Sequence, residues 1–241
     1  MHGSTLWPGG MRVPKSEPGG TSKLKIYKEL RRSIIVGRRS PGERLSVEEL
    51  AARYGTSVTP VRDALQMLSQ EGLVTIKPRS GYFCTRITLK QLRDLLELRG
   101  ILEVAAVERA AARITDEQLE QLEHVHSGYT GDDDESYDRY TDENRRFHCL
   151  IAEAAGNHEL ADAMGHLHDR LARFMVIRHA GETMETIHGR VVQALRAHDV
   201  AAARQALLDE LGETRDAVLD RVIRAEGAFW HLGAQEEPSQ Q

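Results

Sequence analysis

The stretch SVEELAARYGTSVTPVRDALQMLSQEG, Ser46 to Gly72, decides the N-terminal fold. Ser46 is followed three residues later by Glu49, the spacing of a capping box. Leu50, Ala51 and Tyr54 continue at helical spacing until Gly55 stops the helix. Thr56-Ser57 opens a second helix, with Val61, Ala64, Leu65 and Leu68 on one face and its end at Glu71-Gly72. Pro60 is compatible with that helix because it falls in the first turn, where backbone N–H groups have no intrahelical partner. Two short helices joined by so tight a turn form a helix–turn–helix.

Working outward, Leu24, Ile26, Tyr27, Leu30, Ile34 and Ile35 mark a preceding helix that ends near Gly37, and Ser40-Pro41-Gly42 is a turn. On the other side, Leu73 to Ile76 is a β-branched run, Lys77 to Gly81 a tight basic turn, and Tyr82 to Thr85 a second strand. The pattern is a winged helix–turn–helix. After Thr88 the periodicity is helical almost throughout, with helices expected at 88–113, 115–127, 134–155, 157–180, 183–198 and 200–229. An acidic loop, with Asp132 to Glu135 at its centre, is expected at 128–136.

The fold class is therefore mainly α: an N-terminal winged helix–turn–helix over 21–87 and an all-α antiparallel bundle over 88–229. Residues 1–20, with five glycines and three prolines, are expected to be a disordered tail, and 230–241 a polar tail. Among 241 residues, 40% are hydrophobic, 29% charged and 5% aromatic, which suits a soluble helical protein. No apolar stretch reaches the roughly 18 residues of a membrane span, and no signal-peptide pattern opens the chain. Two cysteines, Cys84 and Cys149, are too few for a disulfide framework, so a cytoplasmic location is expected.

Charge is distributed unevenly. Residues 21–86 carry a net +7 and residues 87–241 a net −13, within a total of −5. A basic N-terminal module on an acidic body suits contact with a polyanion, although clustered solvated charge alone produces the same count. Thr56, Ser57, Thr59 and Arg62 stand at the start of the second helix, opposite its apolar face. Short hydroxyls there can meet phosphates, and an arginine can fork onto guanine O6 and N7 in the major groove. Arg79, Ser80 and Gly81 at the hairpin tip suit a wing lying along a groove or on phosphates. The competing use of such a fold is protein–protein contact.

Residues 24–86 resemble the GntR-type winged-helix regulators. The resemblance rests on Leu30 to Gly37, Pro41 to Ser46, Glu49-Leu50-Ala51 and Thr59-Pro60-Val61-Arg62-Asp63-Ala64-Leu65, with Leu68, Glu71 to Val74 and Gly81. It implies that the helix bearing Thr59 to Arg62 reads DNA. The family commonly has an arginine before the Thr-Pro pair, whereas this chain has Val58, which could instead touch a thymine methyl. Leu92 to Arg99, Glu103, Asn144 to His148, Ala154 to Asn157, His188, Ala194-Leu195 and Asp199 resemble the FCD effector domain of the FadR-type branch. That resemblance, covering about 24–225 with the first, implies a small-metabolite sensor, often one with a metal between its helices.

Helical spacing puts Asn144 and His148 on one inward face with Ile151, Ala152 and Ala155. His188 shares a face with Val191, Val192 and Leu195, and Glu210 one with Ala203, Ala206, Leu207, Thr214 and Ala217. Two imidazoles, a carboxylate and an amide oxygen suit Zn²⁺, Ni²⁺, Mn²⁺ or Fe²⁺, and the alternative is an ordinary hydrogen-bonded core. By the resemblance, Asn144 stands where the family usually has Asp, and Glu210 where it has a third His. Arg99 is expected inside, as the partner of an effector carboxylate or of Glu103 one turn on. His166 and His168 fail the spacing for shared ligation and are expected mostly at the surface, and His124 and His126 likewise fail it.

The expected function is a ligand-responsive repressor, not an enzyme. It would act as a homodimer, because one winged helix buries little area, and would bind an inverted repeat of double-stranded DNA. Its effector would be a small carboxylate near a divalent metal. A metal-dependent enzyme using the His-His-Glu set is the alternative, but the chain has no HExxH and no Gly-rich phosphate loop.

Overall fold

A computed structural model describes residues 19–125, 134–175 and 181–224, with backbone only at 19–22, 134–138 and 181–187. The first helix, α1 (Gly19–Ile35), buries Ile26, Leu30, Ile34 and Ile35 against the helix–turn–helix. That unit consists of α2 (Val47–Tyr54) and α3 (Val58–Gln70). The Ser46 hydroxyl accepts from the Glu49 N–H to start α2, and Gly55 ends it at φ +61. Leu65 and Leu68 are fully buried, each worth roughly 1.5–3 kcal/mol on transfer from water.

Strands β2 (Val74–Lys77) and β3 (Gly81–Cys84) form the expected hairpin, in the register Lys77 with Gly81 and Val74 with Cys84. A strand the sequence did not announce, β1 (Arg44–Leu45), pairs antiparallel with β3, so the sheet order is β1-β3-β2. At the wing tip Ser80 N–H donates to Lys77 O, and Arg79 holds φ +61.

Six helices follow: α4 (Leu89–Ala111), α5 (Asp116–Glu123), α6 (Asp134–Ala154), α7 (His158–Met175), α8 (Gly181–Arg196) and α9 (Val200–Arg224). Complete capping boxes at Thr88 and Thr115 fix the starts of α4 and α5. All six expected helices are present, and α6 takes up the end of the expected acidic loop. The rest of that loop, both expected tails except Gly19 and Gly20, and residues 126–127, 176–180 and 225–229 of three expected helices lie outside the described residues. Helix α4 runs through the bundle against α6, α7 and α9. Its upper half joins a core with Phe147, Ile151, Val191, Leu195 and Leu207, and its lower half one with Leu171, Phe174 and Val218.

The two modules touch directly. Ala172 of α7 enters the hydrophobic core of the winged helix. Arg31 of α1 pairs with Asp142 of α6 at 2.9 Å and with Glu71, the C-cap of α3, at 3.4 Å. Tyr27 hydroxyl also donates to Glu71.

Candidate functional site

Helix α3 presents one face inward and its N-terminal tip outward. Ser57, Thr59 and Arg62 are exposed, and Thr56 is half-buried in the turn just before the helix. Ser57 caps α3 through its backbone conformation, and its hydroxyl makes no bond to the helix. Val58 is also on this surface, 37% exposed. Arg79 and Ser80 are exposed at the wing tip, with Gly81 half-buried at φ +105. The sequence-derived DNA-reading residues therefore lie on the tip and the wing, all outside the core.

The second polar set is enclosed. Arg99, Glu103, Asn144, His148, His168, His188 and Glu210 are all buried, contributed by α4, α6, α7, α8 and α9. Arg99 Nε donates to Glu103 Oε1 at 2.7 Å, and its Nη2 lies 3.1 Å from both Glu210 Oε1 and His148 Nε2. The Arg99–Glu103 pair is thus formed, and the guanidinium reaches beyond it. His148 Nδ1 lies 3.0 Å from Glu103 Oε2, and its Nε2 3.2 Å from Glu210 Oε1. His188 Nε2 is 3.6 Å from Glu210 Oε1, and its ring stacks on Phe147 at 3.9 Å.

His168 corrects the sequence reading. It is 3% exposed, and its Nε2 lies 2.7 Å from Glu103 Oε1, whereas His166 is exposed as expected. Two residues apart, only one of them can face inward, and the face of Met164, Leu171 and Met175 selects His168. His124 is exposed, and His126 lies outside the described residues. Ala217 is also exposed: the inward stripe of α9 runs Leu207, Glu210, Thr214, Val218. Glu103 is the residue whose role sequence reasoning undervalued, since it ties Arg99, His148 and His168 together. Its helical spacing with Ala106 and Ala110 was the available signal.

The electrostatics follow from the geometry. Burial works against a charged His148, but the carboxylates of Glu103 and Glu210 overcome it and raise its pKa to about 9. Burial lowers His168 to about 4, despite its bond to Glu103. Burial likewise lowers His188. Burial alone would raise Glu103 and Glu210, but the surrounding cations hold both well below the usual carboxylate range. Two carboxylates are then balanced by Arg99 and a protonated His148.

The donor set also fits a divalent cation. His148, His188 and Glu210 bring ligand atoms within 4.8 Å of one another. The separations of 3.2 and 3.6 Å resemble those of donors sharing one ion at roughly 2.0–2.1 Å. Among the described residues, the buried Asn144 Oδ1 and Glu210 Oε2 have no hydrogen-bond partner, an arrangement that a cation relieves. Glu103, whose Oε2 lies 3.0 Å from the far nitrogen of His148, would fix the ring so that Nε2 faces the other donors.

An exposed helix tip and wing, joined to a helical module with an enclosed polar cluster, define a transcription regulator with a separate C-terminal domain. Residues 22–84 match the family of bacterial regulatory proteins called gntR, and residues 94–212 match the FCD domain. The chain belongs to the GntR family and carries an FCD domain. It is 31% identical to the HTH-type transcriptional repressor RspR of Escherichia coli K12 over 212 residues, covering 86% of this chain and 92% of that one. It is 28% identical to the uncharacterized HTH-type transcriptional regulator YdhC of Bacillus subtilis, covering 77% and 85%. The solved structure of Escherichia coli McbR matches with a TM-score of 0.66 at 21% identity, over 83% of this chain and 98% of that one. These relatives are transcription regulators, not enzymes. Among the described residues, no helix is long and apolar enough to cross a membrane.

Proposed function

We propose that this chain is a homodimeric repressor that acts in the cytoplasm, binds an inverted-repeat operator in double-stranded DNA and responds to a small carboxylate. The repressor reading is supported by similarity to RspR and to the HTH-type transcriptional repressor GlaR of Escherichia coli. Thr56, Ser57, Thr59 and Arg62 read the major groove, and Arg79, Ser80 and Gly81 hold the wing on the backbone or in the adjacent groove. Dimerisation is supported by Leu98 and Ile101 on α4 and Leu208 on α9, which are 41%, 61% and 37% exposed.

The observation that carries the sensing reading is the buried cluster with its unpartnered Asn144 and Glu210 oxygens. In this reading His148, His188, Glu210 and Asn144 hold a divalent metal such as Zn²⁺, Ni²⁺, Mn²⁺ or Fe²⁺. When bound, the metal supplies a positive centre for the effector carboxylate. His148 gives up its proton so that its Nε2 can ligate, while Arg99 offers the carboxylate a second cation. The Arg31 bridge from α6 to the C-cap of α3 would carry the change to the DNA-reading helix.

The test is operator binding by full-length protein, with and without each metal and a panel of small carboxylates. Binding weakened by a metal-dependent carboxylate, and by none in a His148→Ala/His188→Ala variant, is the expected result. Operator binding unaffected by any combination would remove the sensing reading and leave the DNA-binding one intact.

A further inference from the structure

A cavity lies between the two modules, away from the buried cluster. It encloses about 180 Å³ between the end of α1, the turn before β1, and helices α7 and α9. Its apolar wall is built by Ile35, Val36, Pro41, Phe174 and Val222, and three arginines, Arg39, Arg173 and Arg221, line it.

Arg173 is the unusual member. Its Nη1 donates to the backbone carbonyl of Thr85 at 3.1 Å, and its guanidinium carbon lies 5.6 Å from the Phe174 ring. No carboxylate pairs with it among the described residues, whereas Arg39 is paired with Glu43. Burial accordingly lowers the pKa of Arg173. A half-buried cation held by one carbonyl, facing a partly apolar cavity, is matched by an anion with an apolar body. The cavity is smaller than the roughly 300–1,000 Å³ of drug-sized sites, which limits the occupant to a compact molecule.

We propose that this interdomain cavity is a second ligand site, for a compact monocarboxylate whose charge meets Arg173 and whose apolar part lies on Phe174 and Val222. The site does not depend on the metal-linked reading of the buried cluster. Its position gives it a consequence. Thr85 lies in the short connection between β3 and α4, so a carboxylate that engages Arg173 competes with the bond fastening that connection to α7. Occupancy therefore changes how the winged helix is seated on the C-terminal module.

The test is benzoate binding to the full-length protein by calorimetry, with inorganic phosphate as an anion lacking the apolar part. Benzoate is expected to bind at least about tenfold tighter than phosphate, since burying the ring adds to the ion pair. Arg173→Gln and Arg39→Glu should each weaken benzoate by about tenfold or more. The Arg39 variant carries the test if the Arg173 variant fails to fold. His148→Ala/His188→Ala should leave benzoate binding unchanged. The proposal is overturned by no benzoate binding, by phosphate binding as tightly, or by binding that survives Arg39→Glu but is lost in the double histidine variant.

Discussion

The tip of α3 and the interior of the C-terminal bundle hold polar side chains under opposite conditions. Ser57, Thr59 and Arg62 face water, outside the core that holds α3 in place. Arg99, Glu103, His148, His168 and Glu210 have lost their water and hold one another in balance. The difference teaches where each function can vary. The proposed DNA-reading surface can change one residue at a time, whereas the buried cluster must change in compensated steps, because each member is another's partner.

The largest expected effect breaks that balance. Glu103→Ala removes the carboxylate shared by Arg99, His148 and His168 and leaves a buried guanidinium short of charge. Breaking one side of a buried pair typically costs about 3–5 kcal/mol. Urea unfolding followed by circular dichroism should show a loss of that order. A loss below about 1 kcal/mol would mean that the cluster is open to water and that the contrast with the α3 tip is false.

The mirror experiment is Arg62→Ala. It should leave the unfolding midpoint unchanged and cost about 1–3 kcal/mol of specific operator binding, read by fluorescence anisotropy against a scrambled duplex. Equal losses on both duplexes would make Arg62 a phosphate contact. Loss of stability would place it in the core.

The pH dependence sharpens the comparison, because the buried set holds histidines shifted in opposite directions. In chelator-treated protein, His148 has a folded pKa of about 9, above its ordinary 6.5. Its contribution is complete below about 6.5 and is lost as pH rises towards 9. His168 is depressed to about 4, so its contribution is present above about 6.5 and is lost as pH falls towards 4. For these two groups stability peaks near pH 6.5, with each limb sloping by at most about 1.4 kcal/mol per pH unit per proton. Unfolding in urea at about pH 5, 6.5 and 8.5 checks both limbs, and a His168→Gln variant should flatten the acid one.

What the sequence made legible divides along the same line. The helices could be read because apolar spacing repeats over many residues, and the α3 tip because Ser, Thr and Arg at a helix start carry local meaning. Strand β1 could not be read, since two residues have no periodicity and only pairing with β3 makes them a strand. Asn144, His148, His188 and Glu210 were recognisably inward, but which atoms meet depends on how five helices pack. The i, i+2 spacing of His166 and His168 hides the inward one, and only the apolar face of Met164, Leu171 and Met175 distinguishes His168. Nothing local marks the Arg31 bridge to Asp142 and Glu71, because its partners lie 111 and 40 positions away in the chain.

The smallest expected effect lies at the wing, where exposure and strain coincide. Arg79 sits at φ +61 in a turn closed by Ser80 N–H on Lys77 O, a conformation that costs a non-glycine residue roughly 1–2 kcal/mol. The Pro-Arg order suits a turn with positive φ at its third position, where glycine or asparagine is the usual occupant. A cationic side chain in a strained position on an exposed tip is what the proposed contact with DNA calls for. Arg79→Gly should therefore act in opposite directions on the two properties. Stability should rise by up to about 1 kcal/mol, because glycine takes positive φ freely while adding some freedom to the unfolded chain. Operator affinity should fall, and the salt dependence of binding should become shallower by about one unit of slope if Arg79 meets a phosphate. Arg79→Asn, which tolerates the same conformation but carries no charge, should reproduce the loss of affinity. Unchanged affinity in both variants would mean that the wing does not touch DNA, leaving α3 as the sole reading element.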